Sequence, residues 1–365
     1  MPQQTNFKNK QEFNEAMRLA HLNDNPYGIL ANIYDSEYPH PYFDPEKIGF
    51  YPYRDWTLQN YTDRSSLPDK TIIFEDYEMY IPGHGDDFHN LFYSSLDCPL
   101  KDKDGIMTAC ITTSDHLWPV PYVYNNYHFV ATNEVNRDKI FNQPNSRSYT
   151  ADMLFGNPKP HRNIFFELLK ENSLLEKNLI NLFGQYRSEF LNTIDDEIQQ
   201  ALDKAVAEAG RTTGNTSGYI NTASHLDTSL NALSIHIHTP VMEASWYSVV
   251  AESLCDNNCF FVTEKTAKPL MAGRPFIILS GQYTLKHLRS LGFKTFTPVI
   301  DETYDEIKDN TQRIKAAFQS FVKLSSKNPV HVYAQLKDVL DHNQKIMYSK
   351  QAITQRARDF LDNYI

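Results

Sequence analysis

Residues Phe260–Leu279 read FFVTEKTAKPLMAGRPFIIL. An apolar run opens the stretch, a polar segment rich in helix formers follows, and a Gly-Arg-Pro turn leads into a second apolar run. The expected order is a strand over CFFVT, a helix over EKTAKPLMAG and a strand over PFIIL. YSVVAES upstream reads as another strand, YTLKHLRSLG downstream as a helix, and LGFKTF as a final short strand. Strands alternating with helices at this spacing belong to a parallel sheet with crossover helices, so the fold class expected is α/β.

The same pattern extends outward. NIFFELLKEN, from Asn163, has helical apolar spacing, and NLINLFG, from Asn178, reads as a strand ending at Gly184. Glu189–Gly210 reads as an exposed charged helix and the polar run Arg211–Ser229 as a loop. Three helical segments follow, near Asp309–Leu324, Pro329–His342 and Lys345–Asn363. The turn-forming cluster NQPNSRS, Asn142–Ser148, marks a boundary. Before it the chain is irregular and rich in Tyr, Pro and Asp, with strand-like runs at Thr71–Phe74, Ile106–Thr112 and Tyr122–Val130. The division expected is an N-terminal α/β domain over 1–147, a second over 148–344, and a closing helix over 345–365.

Composition narrows the classes. With 365 residues and 41% hydrophobic content, two packed domains are expected rather than disorder. A net charge of −10 argues against a surface built for non-specific nucleic-acid binding. No apolar run is long enough to span a membrane, and MPQQTNFKNK lacks a signal-like apolar region, so no membrane insertion and a cytoplasmic location are expected. Cys98, Cys110, Cys255 and Cys259 are too few for a disulfide scaffold. The C-x3-C pair has no second pair to complete a zinc site.

In an open α/β sheet, ligands bind at the carboxyl ends of the strands. Thr263 and Glu264 fall where CFFVT ends, and the helix that begins there favours an anion at its first turn. Lys265 and Lys268 lie one turn apart on one face of that helix. A carboxylate beside a phosphate site can accept hydrogen bonds from both ribose hydroxyls. Two readings stand side by side: a nucleotide diphosphate grip, or an ordinary first turn with solvated lysines. GNPKPHRN, Gly156–Asn163, presents a similar choice. Arg162, with His161, can hold a phosphate at a helix start, or can tie down the loop. SIHIHTP, Ser234–Pro240, puts His236 and His238 on one face of a strand, without the third ligand a metal needs. Asp102-Lys103-Asp104 lies in a charged turn with no strand before it, so no metal is expected there. Phosphate-loop, dinucleotide-binding and nucleophile-elbow motifs are missing from the sequence.

The segment FFVTEKTAKPLMAGRPFIILSGQYTLKHLRSLGFKTF resembles the donor-binding segment of the fucosyltransferase family and of related bacterial and tailed-phage glycosyltransferases. KPHRNIFFELLKENSLLEKNLINLF resembles the segment that opens the same domain. LRSLGFKTFTPVIDETYDEI is similar to the phage-type branch. The resemblance covers roughly Ser148–Ile314. It implies a GT-B architecture, with two Rossmann-like domains facing across a cleft and C-terminal helices packing across both. It also implies a nucleoside-diphosphate sugar as co-substrate, no further cofactor and no metal. Carried over, Arg162 and Lys265 hold the diphosphate, Glu264 binds ribose and Phe261 lies near the nucleoside. Thr263 and Lys268 stand beside them, and Glu252, ending YSVVAES, faces the donor's sugar or base.

The activity implied is glycosyl transfer. Arg162, Lys265 and the helix start would stabilise the departing diphosphate. An N-terminal base would deprotonate the acceptor. Candidates are Asp115 and His116 in TTSDHLWP, and His84, Asp86 and Asp87 in PGHGDDFH, although the favoured reading of each is a loop or capping residue. The acceptor favoured is a hydroxymethylated pyrimidine in phage DNA, acted on in the host cytoplasm, with a rim drawn from Arg54, Lys70, Lys101, Lys103, Arg137 and Lys139. The alternatives are a glycan acceptor and a nucleotide-binding interaction module without catalysis.

Overall fold

The structure is a computed structural model of the chain. It describes residues 48–52, 70–75, 107–112, 122–124, 127–141, 146–194, 236–255, 257, 260–349, 351–356 and 359. The chain divides into two compact units, Met1–Val130 with Lys350–Ile365, and Ala131–Ser349. The polar cluster Asn142–Ser148, read as a boundary, lies inside the second unit.

In the first unit, β1 (Ile48–Pro52), β2 (Lys70–Glu75), β3 (Met107–Thr112) and β4 (Tyr122–Tyr124) form a parallel sheet in the order β1-β2-β3-β4. Phe50 pairs with Ile72, Ile72 with Ala109, and Cys110 with Tyr122. β1 arises in sequence that reads as irregular; it is an edge strand, where Pro52 is tolerated at the end. The strand expected over Tyr122–Val130 stops at Tyr124, and α1 (Tyr127–Asn136) begins within it. A short apolar run fits either period, which is why the two merge in the sequence.

The second unit carries five strands in the order β7-β6-β5-β8-β9. β5 (Tyr149–Gly156), β6 (Leu179–Leu182), β8 (Ser245–Ala251) and β9 (Phe276–Leu279) run parallel, and β7 (Tyr186–Arg187) turns back antiparallel through Gly184. β8 and β9 are almost wholly buried, which explains their continuous apolar sequence. α2 (Pro160–Glu171) joins β5 to β6 on one side, and α4 (Glu264–Met271) joins β8 to β9 on the other. Right-handed crossovers put these helices on opposite faces. Their partners differ accordingly: α2 packs on α6 (Asn310–Ser325) and α4 on α7 (Pro329–Met347). Phe165 of α2 meets Phe318 and Phe321 of α6 at 5.5 and 5.9 Å between ring centres. Each such aromatic pair adds about 0.5–1.5 kcal/mol beyond area burial. α3 (Thr239–Ala244) leads straight into β8, and α5 (Thr284–Ser290) follows β9.

Three expectations are corrected here. CFFVT is not a strand of the sheet: Phe260 makes one isolated bridge and Phe261–Thr263 are extended without a ladder. Its apolar side chains are buried because the segment runs over the core on its way to α4. LGFKTF is likewise irregular, with Phe296 packed edge-on against Phe276 of β9 at 4.8 Å. Residues 189–194 are helical as expected, but Leu191 and Ile194 are buried in a small cluster with Leu179 and Val241 rather than exposed.

The two halves of the polar centre of FFVTEKTAKPLMAGRPFIIL sit at opposite ends of α4. Thr-Glu-Lys opens the helix beside the carboxyl end of β8, whereas Gly-Arg-Pro precedes β9. Arg274 is a structural hub at that far end. It pairs with Asp152 at 2.8 Å and donates to the carbonyls of Met242, Ser245 and Tyr247. Asp152 also accepts from Ser245 and Ser248 at 3.0 and 2.9 Å. The buried carboxylate and guanidinium are thereby fully engaged, as burial of charge requires.

Candidate functional site

The strand order reverses between β5 and β8, because β5 feeds leftward to β6 and β8 rightward to β9. In such sheets the connections on either side of the reversal part and leave a crevice at the carboxyl edge. The loop after β5 supplies Asn157, Lys159, His161 and Arg162. The connection after β8 supplies Glu252, Ser253, Thr263, Glu264 and Lys265. Lys159 spans the two, its Nζ donating to the Ser253 carbonyl at 2.6 Å.

Arg162 lies in the first turn of α2, which starts at Pro160 rather than at Asn163. It is buried, and its guanidinium donates to the carbonyls of Asn157 (2.9 Å), Ala251 (2.9 Å) and Glu252 (3.1 Å). It therefore clamps the end of β8 and brings fixed positive charge beneath the crevice. His161 donates from Nε2 to the Glu252 carbonyl at 3.0 Å. Burial, followed by the adjacent Arg162 charge, lowers its pKa to about 4 and keeps the ring neutral. Arg313, behind the same edge, is also buried and donates to the carbonyls of Ser280, Ile307 and Cys255.

Glu252 is the first residue after β8 and is 0% exposed. Its carboxylate accepts from Thr263 N (3.0 Å), Thr263 Oγ1 (2.7 Å) and Thr266 Oγ1 (2.5 Å). The expected orientation toward a donor sugar is replaced by one toward α4. Thr263 caps that helix, accepting from Lys265 N at 3.3 Å. This tie, not a strand at CFFVT, holds Thr-Glu-Lys at the sheet edge. Phe261 is buried.

Glu264 and Lys265 at the same carboxyl edge are partly exposed, with side chains 14% and 26% exposed and paired at 2.8 Å. Lys265 Nζ also lies 3.2 Å from Thr263 Oγ1 and 3.4 Å from Ser253 Oγ. Lys268, one turn on, lies within the field of Glu264 and Lys265. Its charge bears on Lys139, His236 and His238, and burial lowers its own pKa to about 8. His236 and His238 precede α3 without forming a strand, yet their rings do lie together.

Lys159 escapes a sequence reading centred on Arg162; its place between two prolines, which stiffen the loop, is the signal that could have marked it. Asp86, Asp115 and His116, with His84, Asp87 and the Asp102–Asp104 pair, lie outside the described residues. So do Arg54, Lys101 and Lys103, and the side chain of Lys70. Arg137 is exposed and Lys139 half-buried. Among the described residues no cluster of three or more His, Cys, Asp or Glu is arranged to hold a metal, and no helix is long and apolar enough to cross a membrane. No family model matches the chain, and comparison with curated proteins and with solved structures finds no match.

Proposed function

We propose that the chain is a glycosyltransferase of GT-B type, taking a sugar from a nucleoside-diphosphate donor held at the carboxyl edge of the second sheet. The observation that carries this reading is the convergence of Lys159, Arg162, Glu264 and Lys265 on the crevice where the strand order reverses. Cations there exceed the accessible carboxylates, and the first turn of α4 opens onto the same place, which suits a diphosphate. Lys265 and Lys159 are the groups with access to its oxygens. Arg162 acts from below through its field, and Glu264 accepts from the ribose hydroxyls. As the glycosidic bond breaks, charge grows on the leaving diphosphate, and prepositioned cations stabilise it without a metal.

The acceptor proposed is a hydroxymethylated pyrimidine in DNA. Incubating hydroxymethylated DNA with a panel of nucleotide sugars and analysing the released nucleosides by mass spectrometry tests it. A hexose adduct supports the reading. Donor turnover with an unmodified DNA product moves the acceptor to a glycan.

A further inference from the structure

We propose that Tyr283 is the stacking platform for the nucleobase of a nucleoside diphosphate, one strand away from the crevice; this rests on the donor reading above. Among the described residues two non-glycine positions have a positive φ, Ser173 at 55° and Tyr283 at 66°. For a bulky side chain the left-handed region is an outlier, and glycine or asparagine occupies it at lower cost. Tyr283 sits there with 39% of its surface exposed, so the core gains little from the ring. Among the described residues its hydroxyl has no hydrogen-bond partner. The backbone is held in this state from several sides: Tyr283 N donates to the Asp305 carbonyl at 2.8 Å, Gln282 N to Asn257 Oδ1 at 2.9 Å, and Gln282 Nε2 to the Glu306 carbonyl at 2.7 Å. Strain that the surroundings enforce and packing does not repay is a mark of ligand sites.

The place of the ring selects the ligand. β8 and β9 pair in parallel with Ala251 opposite Leu279, and Glu252 N donates to the Leu279 carbonyl at 3.1 Å. The loop that carries Tyr283 therefore leaves the carboxyl edge one strand spacing, about 4.8 Å, from the connection that begins at Glu252. The two connections are also tied directly: Cys255 Sγ donates to the Ser280 carbonyl at 3.2 Å, and Ser280 Oγ to the Leu254 carbonyl at 3.4 Å. His287 of α5 stacks on Phe260 at 4.7 Å, in the segment that runs on to Glu264. The platform thus stands on the side from which α4 presents the carboxylate proposed for the ribose, and the base is the next group along the nucleotide. An anion does not suit this loop, because the Asp305 carboxylate already accepts from Leu285 N and Lys286 N at 2.9 and 3.1 Å at the start of α5. Lys286 Nζ lies over one face of the Tyr283 ring, 5.1 Å from its centre, so a base stacks on the opposite face.

The test measures binding of UDP, GDP, ADP, CDP and inorganic pyrophosphate by isothermal calorimetry, with melting temperatures taken on the same samples. It compares the full native chain with Tyr283→Asn, Tyr283→Trp and Lys265→Ala. Tyr283→Asn is expected to weaken the tightest nucleoside diphosphate at least fivefold, about the lower end of what stacking one base on an aromatic ring contributes. It should leave pyrophosphate unchanged and melt no lower than the native chain, because asparagine suits the backbone at this position. Tyr283→Trp is expected to keep nucleotide binding, and Lys265→Ala to weaken nucleotide and pyrophosphate alike. Nucleotide binding unchanged in Tyr283→Asn overturns the platform and leaves the donor reading standing. Equal loss of nucleotide and pyrophosphate in Tyr283→Asn, or a loss that comes with a lower melting temperature, also overturns it by giving the ring a structural role. Absence of nucleotide binding to the native chain overturns both.

Discussion

Glu252→Gln separates a carboxylate that positions α4 from one that faces a ligand. The native carboxylate receives three hydrogen bonds, two from Thr263 and one from Thr266. The amide keeps the volume and one acceptor oxygen, but it points an N–H group at a donor that previously found an oxygen. Loss of one charge-assisted bond costs about 2 kcal/mol. For a unit of this size, that lowers the melting temperature by about 4–8 °C. Glu252→Ala leaves all three donors without their acceptor and adds a cavity, so its cost rises to about 4–5 kcal/mol. The assay is thermal unfolding followed by circular dichroism, with nucleoside-diphosphate binding measured on the same samples. Because the tie holds Thr263–Lys265 at the sheet edge, binding should weaken in step with stability. A Glu252→Gln protein that melts with the native chain yet binds no nucleotide refutes this reasoning and turns the carboxylate toward the ligand.

Other substitutions test the frame around the site. Asp152→Asn breaks the buried pair with Arg274 and should cost about 3–5 kcal/mol in urea unfolding, because the guanidinium is left without its counter-charge. Asp341→Asn, whose pair with Lys337 is exposed, should leave the midpoint where it is. Gly273 has φ +63 and a Cβ there would lie 2.6 Å from the Gln344 side chain. Gly273→Ala should therefore cost about 1–2 kcal/mol, and adding Gln344→Ala should recover part of the loss in a double-mutant cycle. Burial lowers the Lys268 pKa from its ordinary 10.5 to about 8. The unfolded chain then holds more protons between about pH 8 and 10.5, so this lysine's contribution to stability rises with pH across that window. Below it the charged lysine costs up to about 3 kcal/mol, at about 1.4 kcal/mol per tenfold change in proton affinity. Lys268→Met should accordingly exceed the native chain in stability near neutral pH, with the gap closing as pH approaches about 10.5.

The parallel character of the second sheet is legible because β8 and β9 are buried on both sides and write continuous apolar runs. The same cue misleads at CFFVT and LGFKTF. Burial demands apolar residues whether or not a ladder forms, and Phe261 and Phe296 are core residues in irregular chain. Thr-Glu-Lys is legible as a helix start through its cap and dipole. What holds it at the sheet edge is not, since the Glu252–Thr263 bond joins residues separated by the connection after β8. Arg162 looks like a phosphate ligand in sequence. Two of its three carbonyl partners, Ala251 and Glu252, depend on where β8 ends, which periodicity locates only loosely. The Lys139–His236 contact spans most of a hundred residues and has no local signature at all.

The crevice between the β5 and β8 connections is proposed to hold a nucleoside-diphosphate sugar. The most direct test of this proposal is slow hydrolysis of a nucleotide-sugar panel by the native chain and by Lys265→Ala, read as released nucleoside diphosphate. Release from at least one donor is expected, reduced at least tenfold by Lys265→Ala with folding intact. No release from any donor, together with no thermal shift from any nucleoside diphosphate, would contradict it.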